Sequence, residues 1–193
     1  DLVRAFQTVA EFNQRVEHQS KHTELMALAI KHSILKRDVS HLTFPDQVQI
    51  LPAEGRKAQI PEGRMMPLTI APPEESLNKA IDKIIASERP VIIVGHGARF
   101  HMKEIIALAE ILNCPVMTTF KGKGQISDTH RLGCGVLGRS GTPIASYFMN
   151  EADLLIVIGA SFSNHTGITP KKPIIQIDFD PLAIAKFHSV EVG

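Results

Sequence analysis

The fold of this chain is decided by one stretch at residues 89–98, Arg89-Pro90-Val91-Ile92-Ile93-Val94-Gly95-His96-Gly97-Ala98. Its apolar run is short and continuous, which is typical of a strand buried on both faces of a parallel sheet. The run ends in Gly-x-Gly, where backbone without side chains can turn tightly toward a following helix. The stretch therefore predicts an α/β fold in which this strand delivers a nucleotide to a helix N-terminus.

Two later stretches repeat the pattern. Residues 154–158 form an apolar run that ends at Gly159, and residues 174–177 form another that ends at Asp178. The carboxyl ends of parallel strands meet at one edge of the sheet, which is where open α/β folds bind ligands. The three stretches together predict a dinucleotide site lined by small and acidic residues.

Between these strands, apolar residues recur at helical spacing. They predict helices that begin near Glu74 and around Ile105, a helix over 142–150, a short helix over 181–187, and a further strand over 115–119. Strands that alternate with helices imply right-handed crossovers and a parallel sheet covered on both faces.

The first part of the chain has a different organisation. Within residues 1–49, two sets of apolar residues share helical faces: Val3, Phe6, Val9 and Phe12 in one, and Leu25, Leu28, Ala29 and Leu35 in the other. A strand-like piece at 39–44 follows. Residues 50–73 hold five prolines and two glycines without periodicity, which indicates a linker. We therefore expect an N-terminal segment at 1–49, a linker at 50–73 and a domain at 74–193.

The composition of the chain argues against several classes of partner and site. The net charge is +1 over 193 residues, and Lys and Arg are scattered, so neither nucleic acid nor an anionic membrane is an expected partner. No membrane span and no signal peptide are predicted. Cys114 and Cys134 form no CxxC pattern, which disfavours a zinc site or a disulfide framework. These features predict a cytoplasmic protein, and the start at Asp1 leads us to expect a piece of a longer chain.

Two other groups of residues could bind a metal ion or an anion. His18 and His22 could share a helix face, but no third ligand stands at suitable spacing, so no metal site is predicted. Lys121 and Lys123 lie on a Gly-rich segment, where they either meet an anion or are solvated.

Several motifs follow one another along the chain. They occupy residues 25–49, 89–97, 118–124 (Thr-Thr-Phe-Lys-Gly-Lys-Gly), 132–142 (Leu-Gly-Cys-Gly-Val-Leu-Gly-Arg-Ser-Gly-Thr), 151–162 and 174–181. Each is weak alone. In this order and spacing, the chain resembles the thiamine-diphosphate (TPP) enzymes of the pyruvate oxidase and acetolactate synthase family.

The resemblance implies a fold and a set of cofactors. Residues 74–193 would be the central domain, a Rossmann-like six-stranded parallel sheet that holds FAD in the flavin-dependent members. Residues 1–49 would be the end of the pyrimidine-binding domain. TPP and Mg²⁺ would bind the full-length parent through parts that this chain lacks. The parent would act on a 2-oxoacid such as pyruvate and form a homodimer or homotetramer.

The candidate cofactor-binding residues all follow predicted strands or precede a predicted helix. They are Gly95, His96 and Gly97; Gly138, Gly141 and Thr142; Gly159, Ser161 and Phe162; and Asp178 with Phe179. The glycines would let the cofactor approach the backbone, a helix N-terminus would favour phosphate, and the carboxylate would accept a ribose or adenine hydrogen bond. The alternative readings are a tight turn, loop glycines with backbone duties, and an aspartate cap.

Departures from the family pattern affect the expected activity. Acetolactate synthases usually have Gly-x-Arg-Phe-Asp-Asp-Arg where this chain has Gly-Ala-Ser-Phe-Ser-Asn-His at 159–165. Residues 175–181 and the later pair His188-Ser189 look more like pyruvate oxidases and quinone-linked pyruvate dehydrogenases. The family's activating glutamate and its Gly-Asp-Gly motif for Mg²⁺ and diphosphate are both missing. No catalytic residue is therefore assigned, and we expect the chain alone to be inactive.

Two other functions are alternatives to this one. An NAD-dependent dehydrogenase would need a third glycine at position 100, which is Phe100, and an acidic residue where the strand 115–119 ends in Thr-Thr. A non-catalytic module that binds ADP or CoA remains the other alternative.

Overall fold

The computed structural model describes residues 1–52, 68–161, 163, 166–167 and 171–193. The chain separates into two compact units, residues 1–69 and residues 70–193. The predicted linker at 50–73 falls largely outside the described residues. The three-part division at 1–49, 50–73 and 74–193 therefore stays a prediction.

The first unit contains a small parallel sheet. Its elements are α1 (Leu2–Phe6), β1 (Phe12–Arg15), α2 (His22–Lys36), β2 (Ser40–Thr43) and α3 (Asp46–Gln49). Strand β1 pairs with β2 in parallel, so the chain between them makes a β-α-β crossover through α2.

The predicted helical face that joins Val3 to Phe12 is wrong. Helix α1 ends at Phe6, and Phe12 begins β1 with its side chain buried. The amides of Glu11 and Phe12 donate to the Val39 carbonyl at 3.0 and 3.4 Å. A non-local strand pairing satisfies this backbone, and periodicity within the segment carries no information about such a partner.

The second unit is a five-stranded parallel sheet with helices on both faces, which confirms the predicted α/β class. The strand order is β5-β4-β3-β6-β7, with β3 in the middle and buried along its whole length. Its elements are α4 (Glu74–Ala86), β3 (Pro90–Val94), α5 (Met102–Leu112), β4 (Val116–Thr118), β5 (Gly133–Val136), α6 (Pro143–Glu151), β6 (Leu154–Ile158) and β7 (Ile174–Ile177). Two short 3₁₀ turns lie at His96–Ala98 and Phe120–Gly122.

Apolar side chains from the two faces of the sheet enter separate clusters. On one face, Ile93 and Leu155 pack with Ala145 and Met149 of α6. On the other face, Ile92 packs with residues of α5 and with the half-buried side of α4. Alternate residues of each strand point to opposite faces, so a continuous apolar run feeds both clusters.

The resemblance predicted six strands in the sheet of the second unit, and the described residues of this unit form five. Val192 makes an isolated parallel bridge with Ile175 on the outer edge of β7, so a single bridge stands at the sixth position. The amide of Gln176 donates to the Val192 carbonyl at 2.9 Å, which ties this last segment to the sheet.

The short helix predicted at 181–187 is wrong. These residues form turns, and Ala185 has a φ of 56°, in the left-handed region that interrupts a right-handed helix. The buried side chain of Gln176 holds the turns in place. Its Nε2 donates to the Ala183 carbonyl, and its Oε1 accepts from the Ala185 amide, each at 2.9 Å. A buried glutamine in a strand therefore sets the path of this segment.

Asp153 fastens the α4–β3 connection to the start of β6. Its carboxylate accepts hydrogen bonds from the Ser87 hydroxyl and from the amides of Glu88 and Arg89, the latter two at 2.8 and 3.0 Å. Partial burial raises the pKa of this carboxyl, but the hydrogen bonds outweigh it and hold the pKa below its usual range. The interaction is present when the carboxyl is ionised.

We expect Asp153→Ala to lower the free energy of unfolding by about 1–2 kcal/mol at neutral pH, a range reduced for solvent screening. A depressed folded-state pKa stabilises the protein above the unfolded value of about 3.9, and this contribution is lost as the pH falls through the folded value. Urea unfolding at neutral and acidic pH measures it. The difference in the free energy of unfolding between wild type and Asp153→Ala should become smaller in acid. Asp128→Ala, at an exposed turn, should lower the free energy of unfolding by much less. A gap that is constant with pH would contradict this account.

Candidate functional site

The strand order identifies a switch point, where the chain stops adding strands on one side of β3 and begins to add them on the other side. From β3 the chain passes to β4 and then β5 on one side, and it then crosses to β6 and β7 on the other side. Neighbouring strands β3 and β6 therefore send their carboxyl ends into connections that leave in opposite directions. Open α/β sheets bind ligands in the crevice at such a switch point.

Two glycine turns meet at this switch point. The Gly95 amide donates to the Ile158 carbonyl at 2.8 Å, and the Gly97 amide donates to the Gly159 carbonyl at 3.0 Å. A Cβ on Gly95 would lie 2.0 Å from the Gly159 oxygen, and one on Gly159 would lie 2.4 Å from the Ala98 nitrogen. Gly159 also has a φ of 59°. The glycines are thus required because one turn packs against the other.

This geometry changes the reason for the predicted glycines. The sequence predicts that a side chain at Gly95 or Gly97 would occupy ligand volume, whereas in the structure the neighbouring turn fills that space. Gly97 and His96 are exposed, so their backbone is accessible at the carboxyl edge of the sheet. The tight-turn reading therefore accounts for the residue type, and cofactor contact there stays a prediction.

The loop after β4 is hydrogen-bonded to the end of β3 and to the first glycine turn. The Thr119 amide donates to the Val94 carbonyl at 2.9 Å, and Nε2 of Gln125 donates to the Gly95 carbonyl at 3.1 Å. A Cβ on Gly122 would lie 2.8 Å from the Val94 oxygen. Sequence reasoning missed Gln125, because a glutamine in a Gly-rich segment carries no pattern that reveals its partner.

The loop after β5 contains three of the predicted residues. The Gly141 amide donates to the Gly138 carbonyl at 2.9 Å, and the Thr142 amide donates to the Val136 carbonyl at 2.8 Å. The Thr142 hydroxyl caps α6 by accepting from the Ala145 amide at 3.4 Å, and it donates to the Cys134 carbonyl at 2.6 Å. The amides of Gly141 and Thr142 and the Thr142 hydroxyl therefore already have hydrogen-bond partners within the protein. A phosphate at this helix end would rely on other groups, and the prediction remains untested.

The last predicted residues follow β6 and β7. Ser161 is exposed, and Phe162 lies outside the described residues. The Gly159 amide donates to the Ile177 carbonyl at 2.8 Å, which sets Asp178 beside the switch-point turns. One oxygen of Asp178 accepts from the Asp180 amide at 2.9 Å, so the residue caps a turn while standing at the predicted edge. Phe179, next to it, is half-buried.

Charge is distributed unevenly between the two ends of the sheet. The segments that follow β3, β4, β5 and β6 contain no Asp or Glu over residues 95–103, 119–127, 137–150 and 159–177. By contrast, Glu88, Glu151 and Asp153 adjoin the amino ends of the central strands. The loops at the carboxyl edge therefore have a positive balance, and the carboxylates near them are Glu104 in the first turn of α5 and Asp178 and Asp180 beside β7. This balance favours an anionic ligand.

A separate cleft of about 280 Å³ lies at the opposite, amino edge of the sheet, between the ends of α5 and α6. Pro90, Pro115 and Tyr147 line it together with Glu88 and Glu151. Its two carboxylates outnumber the one guanidinium, that of Arg89, which lies 3.8 Å from Glu151, so the cleft is a poor site for a phosphate. Cys114 also borders this cleft, and burial raises the pKa of its thiol to about 11, which makes it an unreactive core residue.

The described part of the chain contains neither a cluster of metal ligands nor a membrane-spanning helix. No group of three or more His, Cys, Asp or Glu side chains is placed to hold a metal ion there. Within the same residues, no helix combines the length and the apolar character needed to cross a bilayer. His22, one of the two histidines weighed above, has Nε2 at 2.9 Å from the Glu17 carbonyl oxygen.

Comparison with known proteins gives the family. The profile described as "Thiamine pyrophosphate enzyme, central domain" matches residues 77–193. The chain is 34% identical to a "Probable acetolactate synthase large subunit" of Methanococcus aeolicus, over 100% of this chain and 34% of that protein. It is 30% identical to the "Putative thiamine pyrophosphate-containing protein YdaP" of Bacillus subtilis, over 100% of this chain and 33% of that protein.

A third relative is the "Acetolactate synthase isozyme 1 large subunit" of Escherichia coli, 32% identical over 82% of this chain and 27% of that protein. The chain thus spans about a third of the length of the first two relatives, at 34% and 33%. The profile match covers the whole five-stranded sheet, from α4 to the bridge at Val192. The chain therefore belongs to the thiamine pyrophosphate enzyme family, and its second unit is the central domain of that family.

Proposed function

We propose that the second unit binds FAD, or ADP, across the carboxyl edge of its sheet. The observation that carries the proposal is the switch point between β3 and β6, where two bare backbone turns meet and where the adjoining residues 95–103 and 159–170 contain no Asp or Glu. Dinucleotides bind at such points because the turns expose backbone and the edge accepts a diphosphate.

The residues at this edge fit such a group. Gly97 presents exposed backbone, Ser161 offers an exposed hydroxyl, and Asp178 offers a carboxylate that can accept from a ribose or an adenine. FAD would supply the redox chemistry when bound, and this chain would contribute its position and electrostatic surroundings. The description of the matching family, "Thiamine pyrophosphate enzyme, central domain", supports a role beside a TPP site.

The wider proposal concerns the whole enzyme. We propose that it acts on a 2-oxoacid such as pyruvate with TPP and Mg²⁺, assembles as a homodimer or homotetramer, and works in the cytoplasm. The absence of arginine from 159–165 weakens the acetolactate synthase alternative, and residues 175–181 with His188-Ser189 resemble the pyruvate oxidases and quinone-linked pyruvate dehydrogenases. In this proposal the present chain supplies the nucleotide site and no catalytic residue.

The NAD-dependent alternative is less well supported. Phe100, at the position of the third fingerprint glycine, is 72% exposed and lies under the Arg99 guanidinium at 4.3 Å from the ring centroid. Strand β4 ends at Thr118 and is followed by Thr119, so no carboxylate follows it to hold a ribose diol. The non-catalytic ADP or CoA module is kept as an outcome of the experiment below.

The experiment is a titration of the purified chain with FAD, ADP, CoA and NAD⁺ by calorimetry, with a visible absorbance spectrum of the protein as isolated. We expect FAD and ADP to compete for one site and NAD⁺ to bind at least tenfold more weakly than FAD, a gap of about 1.4 kcal/mol or more. Binding of ADP or CoA without FAD would favour the non-catalytic module. Binding of NAD⁺ as tight as that of FAD would overturn the proposal.

A substitution within the crevice gives a sharper version of this test. Gly97 is unsuitable, because a Cβ there would lie 2.9 Å from Gly159 Cα and would disturb the fold. Ser161→Trp places bulk at an exposed position beside the turns, and Asn78→Trp places the same bulk on exposed α4. We expect Ser161→Trp to weaken FAD binding and Asn78→Trp to leave it unchanged. Equal binding by both would remove the β6 turn from the site.

A further inference from the structure

The loop after β4, residues 119–125, is fixed to the turn that opens the proposed site. It is attached by the Thr119 amide to the Val94 carbonyl at 2.9 Å and by the Gln125 side chain to the Gly95 carbonyl at 3.1 Å. The orientation of the Gln125 amide is set by this contact, because a flip would place oxygen against oxygen. The loop is therefore held beside the glycine turn.

This loop carries two lysines that the fold does not use. Lys121 and Lys123 are exposed, and neither has an ion-pair or hydrogen-bond partner within the described ranges 1–52, 68–161, 163, 166–167 and 171–193. No Asp or Glu occurs in residues 119–127. Two ammonium groups thus stand without counter-charge next to the switch point.

The other side of the switch point offers no comparable charge. Residues 159–170, which follow β6, contain neither Lys nor Arg. Arg99 follows β3, but its guanidinium donates to the His96 carbonyl at 3.1 Å and stacks on Phe100. In the β5 loop, the amides of Gly141 and Thr142 donate internally. Besides the exposed Arg139 of the β5 loop, a diphosphate in the crevice would meet two cations, Lys121 and Lys123, on the β4 loop, which is hydrogen-bonded to the glycine turn itself.

We propose that Lys121 and Lys123 bind the diphosphate of the nucleotide, so that the ligand is held from the β4 side of the switch point. The inference rests on the proposed nucleotide site and assigns its anion subsite. Lysine suits this role as a mobile point charge, since its long side chain reaches phosphate oxygens from an exposed loop without requiring fixed geometry. The proposal predicts recognition of charge, with little effect on the uncharged parts of the ligand.

The test compares two double variants of the 193-residue chain. K121Q/K123Q removes the two loop lysines, and K31Q/K79Q removes two exposed lysines from α2 and α4, so both carry the same change in net charge. Each protein is titrated with ADP, FAD and adenosine at low and moderate salt, and circular dichroism is recorded to check folding. Adenosine shares the base and ribose of ADP and lacks its phosphates.

We expect K121Q/K123Q to bind ADP and FAD about tenfold more weakly than wild type, with adenosine unchanged and with a flatter salt dependence. K31Q/K79Q should match wild type. If wild type binds ADP and K121Q/K123Q binds it equally well, this inference is overturned and the nucleotide site stands. A parallel loss of adenosine binding would also overturn it. If wild type binds neither FAD nor ADP, the proposed function itself fails.

Discussion

Gly95→Ala is expected to destabilise the second unit by about 3 kcal/mol or more and to abolish nucleotide binding. The added methyl would meet the Gly159 carbonyl oxygen, which is 2.0 Å from the ideal Cβ position, and the Ala160 Cα at 2.4 Å. Both obstacles are backbone, so relief requires the two turns to separate and to lose the bond from Gly97 to Gly159. Urea unfolding followed by circular dichroism measures the change.

Gly124→Ala is the matched control for this substitution. Gly124 has a φ of 86°, and no atom lies within 4 Å of its ideal Cβ. Its substitution strains only the local backbone, at a cost of about 1–2 kcal/mol. A loss of stability in Gly95→Ala no larger than that in Gly124→Ala would contradict the close packing of the turns. Comparing the two separates steric conflict from conformational strain, because both change glycine to alanine.

No turnover is expected when the 193-residue chain is supplied with TPP, Mg²⁺, FAD and pyruvate. The chemistry of TPP depends on a glutamate against its pyrimidine ring and on a Mg²⁺ site that holds its diphosphate. No segment of this sequence matches either motif, and the nucleotide edge presents glycines, hydroxyls and lysines. The predicted loss of activity is complete, in contrast to the graded effects of the lysine variants.

The measurement is CO₂ release and flavin absorbance, compared with a blank that contains TPP but no protein. A complete acetolactate synthase large subunit assayed in parallel shows that the mixture supports the reaction. Pyruvate-dependent CO₂ release or flavin reduction above the blank would contradict the expectation. Such a result would mean that a self-sufficient catalytic site had been missed in this chain.

The fold was predictable wherever a strand is buried on both faces. Residues 154–158 and 174–177 are strands with the predicted bounds, because a continuous apolar run between turn residues has few other solutions. Strand β5 was not predicted, since Gly133-Cys134-Gly135-Val136 has no such run and pairs with β4 through an irregular register. Its place depends on the neighbouring strand, which local sequence does not encode.

The location of the candidate site was more predictable than the roles of its residues. Gly95, Gly159 and Asp178 do lie together at one edge, as the strand ends implied. The contacts of these residues could be learned only from the structure. Gly95 packs against Gly159, and the Thr142 hydroxyl caps α6 and donates to the Cys134 carbonyl. A one-dimensional pattern gives the type of residue at a turn, but its contacts depend on elements far away in sequence.

The bond between the two glycine turns has a consequence for the thermodynamics of recognition. The Gly97 amide donates to Gly159 at 3.0 Å, and Gly95 is hydrogen-bonded to both Ile158 and Gln125, so the two turns are cross-linked without the help of a ligand. A ligand seated there would pay little conformational entropy to order the protein. Most of the entropic penalty would then fall on exposed side chains that become fixed around it, such as those of Lys121 and Lys123.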